Sequence, residues 1–226
     1  MRHLPGRRLR IIQIKGRSKE EVGIAMDQQL FEQMYQGQAP WDTGRPQPAI
    51  VKLAEAGQIR GTVLDVGCGT GENVLCLAAR GHDCWGIDFV SVAIERAKAK
   101  AAQRGINAHF IVGNALELNK LERQFDTVID CGLFHTFSDE DRPVFVQGLA
   151  EVLRPGGLLH ILCFSDEEPG TEGPRRISQQ EIRDSFHKGW KVQQIEPIRF
   201  EALQRPGGPI HSPGGPKAWL ATIERI

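Results

Sequence analysis

The chain contains one tyrosine, three methionines and five cysteines, and no two of those cysteines form a C-x-x-C pair. An odd count without paired spacing argues against a disulfide framework or a zinc site, so no metal is expected and a reducing cytoplasm is the expected compartment. Cys76, Cys84, Cys131 and Cys163 lie in apolar runs, where a free thiol behaves as a small hydrophobe; Cys68 does not. Long hydrophobic runs are also missing. The longest apolar stretch without an acidic or basic residue, about Pro155 to Ser165, is roughly half of a membrane span, and neither a membrane partner nor a secretory signal is expected. Net charge is absent as well, because 28 Lys plus Arg balance 28 Asp plus Glu. With 226 residues, 40% of them hydrophobic and 25% charged, the chain is read as one α/β domain with a short extension, not as a collagen-like or wholly disordered one.

The neutral total hides an uneven distribution. Residues 1–19 carry seven basic side chains (Arg2, Arg7, Arg8, Arg10, Lys15, Arg17, Lys19) and no acid, which leaves the rest of the chain at −7. Pro5, Gly6 and Gly16 interrupt this head, so it reads as a solvated tail, a basic extension over residues 1–24. A body of charge −7 is a poor surface for phosphates, and no nucleic-acid partner is expected.

From residue 62 onward short apolar runs alternate with helical patterns. Strands are read at Thr62–Val66, Asp83–Asp88, Ala108–Val112, Phe125–Cys131 and Leu158–Phe164, and two more at Trp190–Phe200 and Ala218–Ile223. Helices follow the first glycine loop to about Arg80, run from a Ser91 cap to Arg104 before Gly105, and run from Ser138 to before Pro155. Ser178-Gln179-Gln180-Glu181 is a capping box. Alternation of this kind implies a parallel sheet covered on both faces, with ligands at the C-terminal ends of the strands. Residues 205–216 are too rich in Pro and Gly for regular structure and form a candidate lid or a plain hairpin loop. Upstream, Met26, Leu30, Phe31 and Met34 recur at helical spacing, and Pro48 opens a second helix through Leu53.

The most informative stretch is Val63-Leu64-Asp65-Val66-Gly67-Cys68-Gly69-Thr70-Gly71, a strand that runs into three glycines at every second position. Such a turn lets a ligand approach the backbone closely. The spacing departs from G-x-G-x-x-G, because Glu72 stands where the third glycine would fall, and no Lys follows to make a phosphate loop. Glu72 would also oppose a pyrophosphate, so the expected ligand is a nucleoside without phosphates. Asp88 ends the second strand, where a carboxylate accepts hydrogen bonds from a ribose diol, and Phe89 beside it is placed to cover an adenine.

The run VLDVGCGTGENVLCLAARGHDCWGID, followed by GNALEL at 113–118, FDTVIDCGLFHTF at 125–137 and LRPGGLLHIL at 153–162, resembles a class I S-adenosylmethionine-dependent methyltransferase. The resemblance implies a Rossmann-like doubly wound sheet of seven strands, mostly parallel with the last antiparallel, and helices on both faces. It implies a single domain over 25–226 with a helical cap at 25–60. For the cofactor it implies that Asp65 orients the amino group of the methionine part, that Gly67, Cys68 and Gly69 supply backbone contacts, and that Asp88 and Phe89 hold the ribose and adenine. Asn114, where many relatives have Asp, and Ala115 would meet the adenine, and the Cys131 carbonyl the methionine amino group. The segment Pro-Trp-Asp-Thr-Gly-Arg-Pro-Gln at 40–47 is similar to that of small-molecule methyltransferases of the thiopurine, thiol, halide and tellurite type, and of relatives that methylate hydroxylated quinolones or quinones. That likeness places Trp41 over the methionine end of the cofactor, implies a small-molecule acceptor, and leaves a monomer or a homodimer open.

Attack of an anionic nucleophile on a sulfonium cancels charge, so a water-poor pocket and in-line positioning suffice. Tyr35, Trp41, Phe134 and Phe137 are candidate apolar walls, with a core role for either phenylalanine at least as well supported; Arg45 and Arg199 are candidate anion-steering groups, with surface solvation the default for both. A thiol or an acidic heteroaromatic hydroxyl is partly ionised already, whereas an ordinary phenol or alcohol needs a proton acceptor, for which His135 and His211 are the candidates. A nucleic-acid or protein methyltransferase would bring a basic groove or an Asn-Pro-Pro-Tyr-like element after strand four, where this chain reads Asp130-Cys131-Gly132-Leu133. A non-catalytic cofactor-binding module is the other alternative.

Overall fold

The computed structural model describes residues 29–37, 39–204 and 211–226; the basic extension, Met26 and residues 205–210 of the candidate lid or hairpin loop lie outside the described residues. One seven-stranded sheet contains β1 (Thr62–Val66), β2 (Asp83–Asp88), β3 (His109–Val112), β4 (Phe125–Cys131), β5 (Leu153–Phe164), β6 (Trp190–Arg199) and β7 (Lys217–Arg225), in the spatial order β3-β2-β1-β4-β5-β7-β6. Neighbours from β3 to β5 pair in parallel, while β7 runs antiparallel to β5 and to β6. β6 therefore points the same way as β5, and the connection that follows it leaves at the C-terminal ends of β1 and β4.

Residues 29–36 are helical, and they are followed by α1 (Pro48–Glu55), α2 (Glu72–Ala78), α3 (Ser91–Arg104), α4 (Asp141–Val152) and α5 (Gln179–Ser185). Successive strand residues point to opposite faces, and the sequence supplies apolar side chains to both. Leu64, Val66, Val128, Leu159 and Ile161 face one core with α4 and α5, whereas Val63, Ile129 and Leu162 face a second with α1, α2 and α3. A third, small cluster of Tyr35, Ala39, Val90 and Ala93 joins the 29–39 segment to the start of α3.

Most elements lie where the residue pattern places them. Pro48 sits in the first turn of α1, Gly105 closes α3 at φ 64°, and the Ser178–Glu181 capping box is formed in both directions. Two readings are corrected. Ser91 does not cap α3; Val90 is the N-cap, without a side-chain cap bond, and its own N–H goes to Asp88 Oδ1 at 2.9 Å. β5 begins at Leu153 rather than Leu158, because Leu153 pairs with Phe125 ahead of a register shift, and Arg154-Pro155-Gly156-Gly157 is an irregularity inside the strand.

Gly71 shows how closely α2 and α3 meet behind the loop. Its φ is 82°, and a Cβ there would lie 2.7 Å from Phe110 and 2.9 Å from Ala97. Gly71→Ala is expected to lower the unfolding free energy by roughly 2–4 kcal/mol, combining backbone strain with overpacking. Urea denaturation checks this, and a loss well below 1 kcal/mol would contradict the packing described.

Candidate functional site

Five chain segments converge at the C-terminal end of the sheet: the glycine loop and the residues that follow β2, β4, β5 and β6. Gly67 and Gly69 adopt φ values of 74° and 53°, a region open to glycine but strained for other residues. The Gly67 and Cys68 N–H groups both donate to Ile87 O, at 2.8 and 3.0 Å, and fold the loop over β2. Cys68 turns its thiol inward against Gly86, where a Cβ would fall 2.7 Å from Sγ.

Asp88 is 7% exposed and accepts the Gly69 N–H through Oδ2 at 2.8 Å as well as the Val90 N–H. Burial raises its pKa, and these two N–H groups partly offset that rise. Each of its oxygens keeps a lone pair for a further donor. Asp65 stands in a harsher place. It is 1% exposed, and neither carboxylate oxygen has a hydrogen-bond partner among the described residues. Burial first, then the negative neighbours Asp130 and Asp88, push its pKa well up, while Asn73 lies close enough to lower it but outside hydrogen-bonding geometry.

Cys131 ends β4 half-buried; burial and then Asp65 and Asp130 raise its thiol pKa. Next to it Asp130 holds the chain after β4, taking the Leu133 and Phe134 N–H groups on Oδ1 at 2.9 and 3.2 Å. Burial raises its pKa to about 7. Asn114 spends Oδ1 on the Leu116 N–H, at 2.9 Å, as the cap of the 3-10 turn Ala115–Leu121. Its carbonyl oxygen is thus less available to an adenine amino group than the sequence suggests; the Nδ2 donors and one lone pair remain. Ala115, the first residue of that turn, is partly buried against the core.

The 39–47 segment forms a cap over this loop. Trp41 donates from Nε1 to Tyr35 Oη at 2.9 Å, and Tyr35 Oη lies 2.7 Å from where a Gly69 Cβ would stand. Burial and then Asp88 raise the Tyr35 pKa, so it remains a neutral hydroxyl. Thr70 donates to Asp42 at 2.7 Å, Asn73 Oδ1 accepts the Gln47 N–H at 3.0 Å, and the Leu203 N–H goes to Pro40 O at 2.8 Å. Gln47 exchanges two hydrogen bonds with the Glu201 backbone, at 2.8 and 2.9 Å, so the cap joins the glycine loop to the chain after β6. Phe31 packs between Trp41 and Phe89, with ring centres 5.5 and 5.6 Å away. Trp41 is 40% exposed and lies at the rim of the cap.

On the other side of the β4 turn is an aromatic group. Phe164, at the end of β5, lies 5.2 Å from His135, 5.5 Å from Phe200 and 5.8 Å from His211 by ring centres. The Cβ direction of Gly132 points at His135 and Phe200, 3.7 to 4.0 Å away. His135 is buried, its Nδ1 accepts the Phe164 N–H at 3.0 Å, and burial, then Arg176, push its pKa down to about 3. His211 lies beside the buried Glu168 carboxylate, 3.7 Å from Nδ1 to Oε1.

Several sequence candidates are elsewhere. Phe134 took the core role: it is fully buried against Phe186 under Arg142, while the partly buried Phe137 packs on Phe145 at 4.6 Å. Arg45 pairs with Glu201, and Arg199 donates to Gly215 O at 2.8 Å. Glu72 does not face the ligand side with an open charge, because Lys100 and Arg104 hold it at 2.7 and 2.8 Å. Sequence reasoning missed Asn73, Glu168 and Arg176, and it did not single out Gln47 within the 40–47 segment. Among the described residues no group of His, Cys, Asp and Glu is placed to hold a metal ion, and no helix is long and apolar enough to cross a membrane.

The depressed pKa of His135 has a stability consequence. The folded state keeps the ring neutral while the unfolded chain takes a proton near pH 6.5, so this contribution is complete above about 6.5 and is lost as pH falls toward 3. His135→Asn retains an acceptor for the Phe164 N–H and cannot titrate. Its unfolding free energy is expected to decline less steeply than wild type between pH 7 and 5 in urea titrations; equal slopes would contradict a neutral buried ring.

Residues 63–157 match a methyltransferase-domain family model. The chain is 38% identical over 186 residues to a 2-heptyl-1-hydroxyquinolin-4(1H)-one methyltransferase of Mycobacteroides abscessus, covering 77% of this chain and 82% of that one. It is 32% identical over 170 residues to a probable thiol methyltransferase 2 of Arabidopsis thaliana, covering 74% and 71%. A solved structure from work on the conversion of a disulfide bond into a thioacetal group during echinomycin biosynthesis superposes with a TM-score of 0.79 at 35% identity, over 88% of this chain and 93% of that one. Together with the strand order and the glycine loop, these similarities make the chain a member of the S-adenosylmethionine-dependent methyltransferases.

Proposed function

We propose that this enzyme methylates a sulfur or oxygen atom of a small, planar, uncharged or weakly acidic molecule, such as a thiol, a heteroaromatic hydroxyl or a quinone-type acceptor. The observation that carries the cofactor half of the reading is the Asp65 carboxylate, buried without a hydrogen-bond partner at the foot of the glycine loop. A buried carboxylate of this kind is stabilised by a cationic donor, and the ammonium of a methionine moiety is one. The surrounding residues fit the rest of S-adenosylmethionine. Gly67, Cys68 and Gly69 offer backbone without side-chain bulk on the ligand side, and the Cys131 carbonyl lies at the end of the adjacent strand. Asp88 keeps lone pairs for ribose hydroxyls, Phe89 and Ala115 offer apolar surface, and Asn114 offers its amide donors to the base. Trp41 and Tyr35 close the loop from above.

When bound, S-adenosylmethionine supplies a methyl group on a positively charged sulfur. The protein's part is orientation and the exclusion of water. The 39–47 cap holds the loop from one side, and the Phe164, Phe200 and His135 rings form a low-dielectric wall on the other, where an anionic nucleophile is poorly hydrated and more reactive. With Nδ1 occupied by the Phe164 N–H, neutral His135 carries its proton on Nε2 and serves as a fixed donor rather than a base. The hydroxyquinolone and thiol relatives support a small acceptor. The non-polyanionic reading is supported by the −7 body.

Incubating the full chain with S-adenosylmethionine and a panel of thiols, halides, phenols and 1-hydroxyquinolin-4-ones, and measuring S-adenosylhomocysteine, tests the proposal. Turnover is expected with the thiol or the heteroaromatic hydroxyl members. Turnover of an RNA or a protein, with none on the panel, would overturn it.

A further inference from the structure

The loop after β5 is fixed more firmly than an ordinary connection. Arg176 donates from Nε to Glu168 O at 3.1 Å, from NH1 to Pro174 O at 2.6 Å, and from NH2 to Pro169 O and Glu172 O at 3.2 and 3.1 Å. Its guanidinium lies 5.2 Å over the Phe164 ring. One side chain therefore ties four backbone carbonyls together and sets the Glu168 backbone at the edge of the aromatic wall. The Glu168 side chain is fully buried; Oε1 accepts the Ser212 N–H at 2.9 Å and Oε2 the Lys217 N–H at 2.8 Å. Burial raises its pKa, but the Lys217 and Ser212 donors and the nearby His211 outweigh that, and the group stays below the ordinary glutamate value. Glu168 is a buried anion at neutral pH.

Anchoring the hairpin needs only the two N–H groups. The same carboxylate also has His211 Nδ1 at 3.7 Å, with the imidazole side chain 12% exposed. His211 meets Phe164 edge to face, at 89°, on the ring that also contacts His135 and Phe200. Glu168 lies directly beside it, and His135 and Arg176 lie against the same Phe164 ring. Its Nε2 has no hydrogen-bond partner among the described residues, whereas the acceptor nitrogen of His135 is occupied.

We propose that Glu168 is a positioning residue for the methyl-acceptor step: its carboxylate turns Nδ1–H of His211 toward itself, leaving Nε2 of His211 to take the proton of a hydroxyl acceptor. This deepens the small-acceptor reading above and rests on it. The acceptor O–H proton moves to Nε2 and the oxygen lone pair forms the new bond to the methyl carbon. The carbon–sulfur bond breaks with its electron pair left on sulfur, and His211 then gives its proton to water. The buried carboxylate fixes the tautomer and stabilises the imidazolium, a division of labour known from His–carboxylate pairs in general. A thiol ionised at neutral pH needs none of this, so the pair separates hydroxyl from thiolate acceptors.

The test compares two acceptors with the full chain: 1-naphthol, a hydroxyl of ordinary phenol acidity that is un-ionised at neutral pH, and 4-nitrobenzenethiol. The ratio of hydroxyl to thiolate turnover is expected to fall about 100-fold or more in His211→Ala, within the range of general-base catalysis, and about 10-fold in Glu168→Gln. Side-chain nitrogen NMR of the ligand-free protein gives a readout independent of turnover: His211 is expected with its proton on Nδ1 in wild type, and without that preference in Glu168→Gln. A parallel fall on both acceptors, or an unchanged tautomer, would overturn the proposal. If wild type binds S-adenosylhomocysteine yet methylates neither acceptor, the small-acceptor reading falls and takes this one with it. If it methylates both and the ratio is the same in every variant, only the Glu168–His211 assignment falls.

Discussion

A carboxylate buried without a partner is among the most expensive features a fold can carry. Here Asp65 occupies that position at the end of the central strand, and much of the site is organised around it. Positive-φ glycines at 67 and 69 turn the chain sharply enough to keep ligand-side backbone close to it, and the Gly67 and Cys68 N–H groups fix that turn to Ile87. Asp88 and Asp130 add negative potential nearby, and each is stabilised by two backbone N–H groups that shape the loops after β2 and β4. Under the proposed function, the energetic deficit at Asp65 is concentrated where the ammonium of the cofactor would be held and would offset it.

The cap and the aromatic wall extend this logic to the acceptor side. Asp42, Gln47 and Pro40 link the cap to Thr70, Asn73 and the chain after β6, so closing over the loop and positioning the wall are mechanically connected. Because β6 runs parallel to β5, Phe200 and His211 reach the same end of the sheet as the glycine loop. An antiparallel β6 would have carried them to the far side, away from Asp65.

The sheet was readable from the chain because buried parallel strands leave a strong mark: continuous apolar runs, each ended by a glycine or an acid. Asp65, Gly67, Gly69 and Asp88 were legible for the same reason, since they terminate such runs at fixed spacing. What stayed hidden depends on contacts between distant segments. Nothing in Phe164-Ser165-Asp166-Glu167-Glu168 tells which of three acids turns inward; Arg176 and the two N–H groups of the hairpin decide it. Phe134 follows β4, where either a pocket wall or the core was open to it, and the 3-10 turn held by Asp130 sends it into the core. Ser91 carries the residue type of a cap, yet it falls inside the first turn, because the helix is entered through Val90.

The central claim is that the partnerless Asp65 carboxylate is where the cationic group of the cofactor would be held. Titrating the full chain with S-adenosylhomocysteine by calorimetry measures this directly. The account predicts an affinity loss of about tenfold or more in Asp65→Asn, as expected for a buried charge-assisted hydrogen bond. Equal affinity in the variant would contradict it.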